Sequence, residues 1–423
     1  MVDSARTTEQ GWPGLVSTFA VNVLFAAGLF SHAFLYNFYL AELQLSARVM
    51  GDAAAALTLG GLLALLPAGL LVDRVGPRRA YLIAAMLLAA GLAAGALATA
   101  PWPIYAAALA AGAGTATWRV AMSPLLISVS PERLRARAFS WNVALLVGSG
   151  ALWTAVAGAA PAWIEQLTGW SALVTNRAAL LLGAAGSVIG AGLVAALRIA
   201  PPAGTAPASN RRAQVRVPVY FVSLAAAIAV WMSAGGLVIP FLNLFFNRQH
   251  AVPVAQVGVL FAIAQLIGAA VIFLNGELAA RFGAVRLLAV WSLAFAPLLL
   301  GLQLADALLL AVIFYVAQSI VPPVTNALID QLLMERAPPD RRGAVSSWRN
   351  AATEASGFGG ASVGGRLIER GSFGLLLYVA AAVAALGATV LLAALRVLGR
   401  RSAIVQPQPA TQHAVEPLAI DRR

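Results

Sequence analysis

Long runs of apolar residues alternate with short polar segments along almost the whole chain. Each run holds roughly the 20 residues that an α-helix needs to cross the hydrocarbon core of a bilayer. Runs of this length are too long for β-strands and too frequent for the core helices of a soluble domain. The pattern therefore predicts an all-α integral membrane protein with twelve transmembrane helices, at residues 14–40, 50–72, 80–99, 103–129, 138–160, 173–197, 217–246, 255–279, 285–303, 307–333, 344–364 and 372–396.

The widest polar interval between two runs reads PPAGTAPASNRRAQVRV and divides the predicted helices into two sets of six. Pro, small polar residues and Arg are typical of a linker. We interpret the first apolar run as a membrane span and not as a cleaved signal, since similar runs follow it. The chain is thus expected to consist of a cytoplasmic N-terminus, a six-helix bundle, a cytoplasmic linker, a second six-helix bundle and a disordered cytoplasmic tail, at residues 1–13, 14–197, 198–216, 217–396 and 397–423.

Composition supports this assignment, because 61% of the residues are hydrophobic and only 10% are charged. The net charge of +12 comes from 28 Arg and no Lys, scattered in short clusters between the apolar runs. This scatter is unlike a nucleic-acid-binding surface. With both termini inside the cell, most of the loop arginines are cytoplasmic, as insertion requires. The outer loops then hold only Arg48, Arg177, Arg248, Arg366 and Arg370.

The two halves share a sequence repeat with a constant offset of 207 residues. The segment GLLVDRVGPRR, after the second run, corresponds to GELAARFGAVR after the eighth. The same register pairs Gly51 with Gly258 and Gly158 with Gly365. A repeat of this kind predicts two pseudo-symmetric bundles related by an axis along the membrane normal, with a solute site between them near the midplane. Within the two segments it pairs Gly69, Arg74, Gly76 and Arg79 with Gly276, Arg281, Gly283 and Arg286.

GLLVDRVGPRR resembles the loop 2-3 motif of the major facilitator superfamily, Gly-x-x-x-Asp-Arg-x-Gly-x-Arg-Arg. The resemblance implies a twelve-helix transporter, monomeric by default, that works by alternating access. It also implies a cytoplasmic latch that stabilises the outward-facing state. Asp73 of the latch would lie near the N-terminus of span eleven, where free amides favour a carboxylate; Ala280 replaces it in the second copy. The alternative is that these arginines only fix topology. The motif residues are Gly69, Asp73, Arg74, Gly76, Arg78 and Arg79.

Arg119 lies near the middle of the fourth predicted span, where an unpaired guanidinium costs several kcal/mol. A functional position facing the cavity is the default interpretation of such a residue. The repeat register places Asn326 opposite Arg119, so an anionic or hydrogen-bonding substrate group between them is one hypothesis, and helix packing is the alternative. In the resembling family, a span-four Arg often belongs to an Arg-x-x-x-Gly motif implicated in proton coupling. Here the later position is Ser123.

Glu354 lies near the middle of the eleventh predicted span. A carboxylate at this depth could take up a proton during transport, which makes it the candidate coupling residue. The alternative is a buried pair with Arg119, or with Asn350 one turn earlier, that serves helix packing only.

Several further residues are candidates for the cavity or its gates. His32 could line the outer half of the cavity or relay protons, since imidazole titrates near neutral pH; a helix-contact histidine is the alternative. Tyr36, Asn37 and Asn243 give the outer ends of spans one and seven an aromatic and amide-bearing character, from cavity lining or from an interfacial belt. Asp330 and Arg349, near the cytoplasmic ends of spans ten and eleven, are gate candidates.

The sequence also indicates what the protein is not. Without Lys it has no Walker A motif, and three separated His with no Cys give no metal-ligand spacing. We therefore expect no enzyme activity, no cofactor and no metal. The leading hypothesis is a secondary active transporter of the bacterial inner membrane that moves a small organic solute by alternating access with proton coupling. The alternatives are a non-transporting sensor or scaffold with the same fold, and a lipid translocator. The expected partners are a small-molecule substrate, protons and the bilayer, without nucleic acid.

Overall fold

The computed structural model describes residues 2–196, 219–337 and 341–405, and this part of the chain is helical with no strand. A 3-10 turn, Glu132–Leu134, precedes the fifth helix. The helices of the first half are α1 (Val2–Glu42), α2 (Ala47–Val75), α3 (Pro77–Leu97), α4 (Pro101–Val129), α5 (Arg135–Thr168) and α6 (Ala172–Ala196).

The second half repeats this arrangement with two irregularities. A 3-10 turn at Ile239–Phe241, containing Pro240, separates the first two helices, because a proline removes a helical hydrogen bond. Ser372, with φ 84°, interrupts the last helix and divides it into two arms. The helices are α7 (Val219–Val238), α8 (Leu242–His250), α9 (Val254–Phe282), α10 (Ala284–Leu304), α11 (Leu308–Arg336) and α12 (Arg342–Val405).

Two repeat-related glycines form the tight turns that follow α2 and α9. Gly76 has φ 80° and Gly283 has φ 88°, a region that residues with a Cβ rarely adopt. Pro77 then occupies the first turn of α3, where its missing N–H costs nothing. The two copies of the loop motif therefore fold in the same way at their turns.

The two halves meet mainly through α2 against α12 and α5 against α9. Glycines make both crossings close: a Cβ on Gly51 would lie 3.1 Å from the Cα of Gly365, and a Cβ on Gly158 would lie 2.9 Å from the Cα of Gly258. The offset of 207 that pairs Gly51 with Gly258 also pairs Gly158 with Gly365. The repeat thus relates one crossing to the other, and small residues let both helix pairs approach closely.

Ten helices of the described chain are long and apolar enough to cross a membrane. The last of them, Ala344–Arg396, contains the break at Ser372. Helix α4 is not among the ten, although it has 29 residues. Large apolar side chains such as Leu66, Trp102 and Phe273 lie exposed on the outer surface of the bundle, as a lipid-facing surface requires.

The helices extend further than the sequence pattern predicts at both ends of the chain. Helix α1 begins already at Val2, and α12 continues beyond the predicted boundary at 396 as far as Val405. Residues 397–405, which the sequence pattern placed in the disordered tail, are helical. The predicted linker at 198–216, and residues 406–423 of the tail, lie outside the described residues.

Candidate functional site

A cavity of about 310 Å³ lies between the two halves of the bundle. Helix α4 contributes Arg119, α11 contributes Asn326, and α12 contributes Glu354. Thr353 and Ser356 add hydroxyl groups, while Trp231, Met232, Phe295 and Pro322 form apolar walls. A largely apolar cavity with a few polar groups is the usual form of a small-molecule site.

Arg119 and Glu354 form an ion pair across this cavity, in which Arg119 Nη2 donates to Glu354 Oε1. The pair joins α4 of the first half to α12 of the second. The arginine side chain is 50% exposed and the glutamate side chain only 12%. Pairing at this depth offsets the cost of placing two charges inside the bundle. Of the two partners that the sequence offered for Glu354, Arg119 and Asn350, the structure pairs it with Arg119 at the cavity wall.

A second polar cluster lies beside the cavity within the second half. Arg349 donates through Nη2 to Asn326 Oδ1 at 3.2 Å and through Nη1 to Asn350 Oδ1 at 3.1 Å. Its Nε lies 3.0 Å from Asp330 Oδ1. The two gate candidates thus form an ion pair with each other.

A second cavity of about 340 Å³ adjoins the first and shares Thr58, Gly235, Gly236, Ile239 and Gly357 with it. His32, Tyr36 and Asn37 of α1 lie on its wall. The imidazole of His32 is buried and stacks on the ring of Tyr36, with 4.1 Å between ring centroids. These three predicted residues therefore line the outer part of the same space.

Two asparagines join α1 to the segment around the α7–α8 break. Asn37 Nδ2 donates to the carbonyl of Pro240. Asn243 Nδ2 donates to the carbonyl of Phe34 at 2.6 Å, and Asn243 is buried. Both contacts cross between the halves, so these two asparagines help hold α1 against the α7–α8 segment.

The loop after α2 carries the charged residues of the motif. Asp73 and Arg74 are exposed, and among the described residues Asp73 has no hydrogen bond or ion pair. Arg78 instead donates to the carbonyls of Val194 and Ala195 at the end of α6. In the second copy, Arg281 lies over the ring of Phe282. The latch expected from the sequence stays a prediction.

The described residues contain no group of three or more His, Asp or Glu side chains that could hold a metal ion. The sequence profile of the Major Facilitator Superfamily matches residues 18–268 and 219–420. The chain belongs to the major facilitator superfamily. None of the curated proteins matches its sequence.

Solved structures of this superfamily share the fold at low sequence identity. A mutant of the nucleoside transporter NupG has a TM-score of 0.74 at 15% identity, covering 90% of this chain and 99% of the other. A D-xylose-proton symporter has a TM-score of 0.72 at 15% identity, covering 89% and 96%. A bacterial homologue of the human lysosomal transporter Spinster, inward-facing and unoccupied, has a TM-score of 0.68 at 15% identity, covering 93% and 96%.

This superfamily member has a polar cluster between α2 and α12 that the sequence did not reveal as a site. Asp52 of α2 accepts from Ser362 Oγ at 2.5 Å and from Arg366 Nη1 at 3.0 Å, both on α12. Arg48 Nε lies 3.8 Å from the other carboxylate oxygen. The sequence could have drawn attention to Asp52, because it is an acidic residue at the start of the predicted second span. It could not have identified the partner, Arg366, which lies 314 residues away.

Substituting Asp52 with Asn is expected to open the outer side of the bundle. The variant loses the ion pair to Arg366. Glu369→Gln is the matched control, because the Glu369 carboxylate is exposed on the same surface. Because the chain has no Cys, a single Ala54→Cys reporter in the outer cavity can be labelled with a membrane-impermeant maleimide. We expect about a fivefold faster labelling from outside in Asp52→Asn. Equal labelling in both variants would show that the cluster does not hold this side closed.

Proposed function

We propose that this protein is a proton-coupled secondary active transporter that moves a small organic solute across the bacterial inner membrane by alternating access. The observation that carries the proposal is the Arg119–Glu354 pair, which joins the halves at the wall of the central cavity. A titratable ion pair between two moving bodies can link protonation to a change of conformation. The similarity to a proton symporter supports the same proposal.

The proposed topology has twelve spans in two six-helix bundles, with both termini in the cytoplasm and one chain as the working unit. Helix α4 supplies a span in addition to the ten apolar candidates, since Arg119 lowers its hydropathy. Ser372 divides the tenth candidate into two spans, with the short connection on the outer side. The arginine distribution orients the loop that contains Arg74, Arg78 and Arg79 toward the cytoplasm.

We assign the conformation described here to the inward-facing state. On the outer side the two halves are held together by the ion pair of Asp52 with Arg366. Asn37 and Asn243 add hydrogen bonds between α1 and the α7–α8 segment. On the opposite side Ser123 and Ile127 of α4 are exposed, and so is Asp330 of α11. The structural similarity to an inward-facing Spinster homologue supports this assignment.

In the proposed cycle, protonation of Glu354 neutralises the carboxylate and weakens its attraction for Arg119. The two halves are then free to separate at this point, and deprotonation on the other side restores the pair. The loop motif provides the opposing latch: Asp73 would approach the N-terminus of α12 when the cytoplasmic side closes, where the helix dipole favours a carboxylate. Arg349 and Asp330 would form the cytoplasmic gate beside it.

Reconstitution of the purified full-length chain in liposomes tests the proposed function. A labelled panel of sugars, amines, carboxylates, nucleosides and dyes is applied with a proton gradient of either orientation. At least one solute is expected to accumulate against its own gradient, and a protonophore should abolish the accumulation; protein-free liposomes are the control. If no solute moves but a fluorescent phospholipid changes leaflet, the protein is a lipid translocator. If neither moves, it is a non-transporting sensor or scaffold.

A further inference from the structure

The charged part of the central cavity exposes its arginine far more than its glutamate, with side-chain exposures of 50% and 12%. A guanidinium has five N–H donors, and within the described chain Glu354 is the hydrogen-bond partner of Arg119. Donors of Arg119 therefore remain available to a ligand in the cavity. The most accessible charge offered to a solute is positive.

The neutral polar groups around Arg119 also favour an acceptor on the ligand. Asn326 Oδ1 accepts from Arg349, so its Nδ2 group remains as a donor on the cavity wall. Thr353 adds no free donor, because its hydroxyl already donates to the carbonyl of Arg349. The carboxylates nearby, Glu354 and Asp330, already have arginine partners. The site thus has free donors and, among the described residues, no free carboxylate for a cationic ligand.

Apolar space adjoins this charged point on the outer side. Met50, Ala53 and Leu57 of α2 face Ile239 and Pro240 across the second cavity. An apolar group placed there would be removed from water, which favours binding in proportion to its area. One ligand can reach both regions, because the two cavities share Thr58 and Gly236.

The pseudo-symmetric counterpart of this site carries no charge. A further cavity of about 260 Å³ is lined by Phe30, Leu146, Val147 and Tyr315. Val147 occupies the repeat position of Glu354, since the two residues are 207 apart. Of these three cavities, only the one with Arg119 and Glu354 has an Arg, Asp or Glu residue in its lining.

We propose that the transported solute is an amphipathic organic monocarboxylate, whose carboxylate binds Arg119 and Asn326 and whose apolar body lies between Leu57 and Ile239. This inference rests on the proposed function. The solute carboxylate would replace Glu354 as the partner of Arg119, since a guanidinium can bind a carboxylate through two parallel hydrogen bonds. The displaced Glu354 can then hold the proton, so that the loaded site stays electrically neutral.

Calorimetric titration of the detergent-purified full-length chain with ligands of matched shape tests this inference. The series is 3-phenylpropionate, 3-phenylpropionamide, 3-phenylpropylamine and lactate. We expect 3-phenylpropionate to bind about tenfold more tightly than the amide, and more tightly than the amine and lactate. Equal binding of acid and amide, or tighter binding of the amine or of lactate, would overturn the inference. Decanoate is added to the series to distinguish an acid taken from the bilayer from one taken from water. Tighter binding of decanoate than of 3-phenylpropionate would indicate an acid from the bilayer, and weaker binding an acid from water.

Two variants locate the binding groups. Arg119→Gln is expected to remove the preference for acid over amide, whereas Arg248→Gln, a matched change at an exposed arginine, should retain it. Ala54→Phe fills the outer cavity and should weaken 3-phenylpropionate but not lactate. Retention of the acid preference in Arg119→Gln would contradict the assigned site. If liposomes instead accumulate a sugar or an amine under a proton gradient, the transporter function holds and the monocarboxylate inference fails.

Discussion

Replacing Glu354 with Gln is expected to abolish proton-driven accumulation of the solute while leaving exchange down its gradient. Gln has the shape of a protonated Glu but cannot release a proton, so the halves can still move and the proton can no longer be carried. We expect accumulation to fall by about tenfold or more. The measurement compares proton-driven uptake with solute counterflow in the same liposomes. Wild-type counterflow should depend on pH, and Glu354→Gln counterflow should not.

The matched control for this substitution is Glu165→Gln, near the end of α5, where the carboxylate is exposed. It removes the same charge outside the cavity and should leave both assays unchanged. Loss of the Arg119 ion pair is expected to cost at most about 1 kcal/mol of stability, because the guanidinium is half exposed. Undiminished proton-driven accumulation in Glu354→Gln would remove Glu354 from the coupling mechanism.

Gly158→Val is expected to be strongly damaging at the contact between α5 and α9. Even the first added carbon would lie 2.9 Å from the Cα of Gly258, and a backbone atom cannot move aside as a side chain can. Overpacking of this kind destabilises by about 1–3 kcal/mol, so we expect a lower unfolding temperature and little transport. Unfolding of the purified protein and liposome uptake measure the two effects.

Gly148→Val provides the control in the same helix, because no atom lies within 4 Å of a Cβ built there. Valine is slightly more favourable than glycine in a helix, so this variant should be as stable as the wild type or slightly more stable. Gly258→Val should reproduce the defect of Gly158→Val from the other side of the contact. Equal stability of Gly148→Val and Gly158→Val would show that α5 and α9 do not need this close approach.

The loop motif illustrates how far a sequence pattern alone can go. Gly76 and Gly283 occupy the same place in the two copies of the motif, and both have the positive φ that a tight turn requires. The role of Asp73 was not decided in the same way, because its proposed partner is the start of α12 and contact depends on which side of the bundle is closed. The latch stays a prediction that an outward-facing structure would test.

The midplane charges illustrate the opposite case. The depth of Arg119 and Glu354 in apolar runs marked both as exceptional, since isolated charges are costly there. That they pair with each other depends on how α4 and α12 face one another. Asn350, one turn earlier in the same helix, was the other candidate partner of Glu354 by spacing, but its Oδ1 accepts from Arg349 instead.

The sequence by itself determined the membrane class, the two-half repeat and the superfamily, because apolar length, arginine distribution and a local motif are properties of the chain alone. Only the tertiary structure decided which charged residues pair, on which side of the bundle the two halves are in contact, and where the cavities lie. Asp52 and Arg366 are 314 residues apart, and nothing local in either segment encodes their contact. Such contacts arise from the way rigid helices cross, and the glycines that set those crossings act only once the helices are packed together.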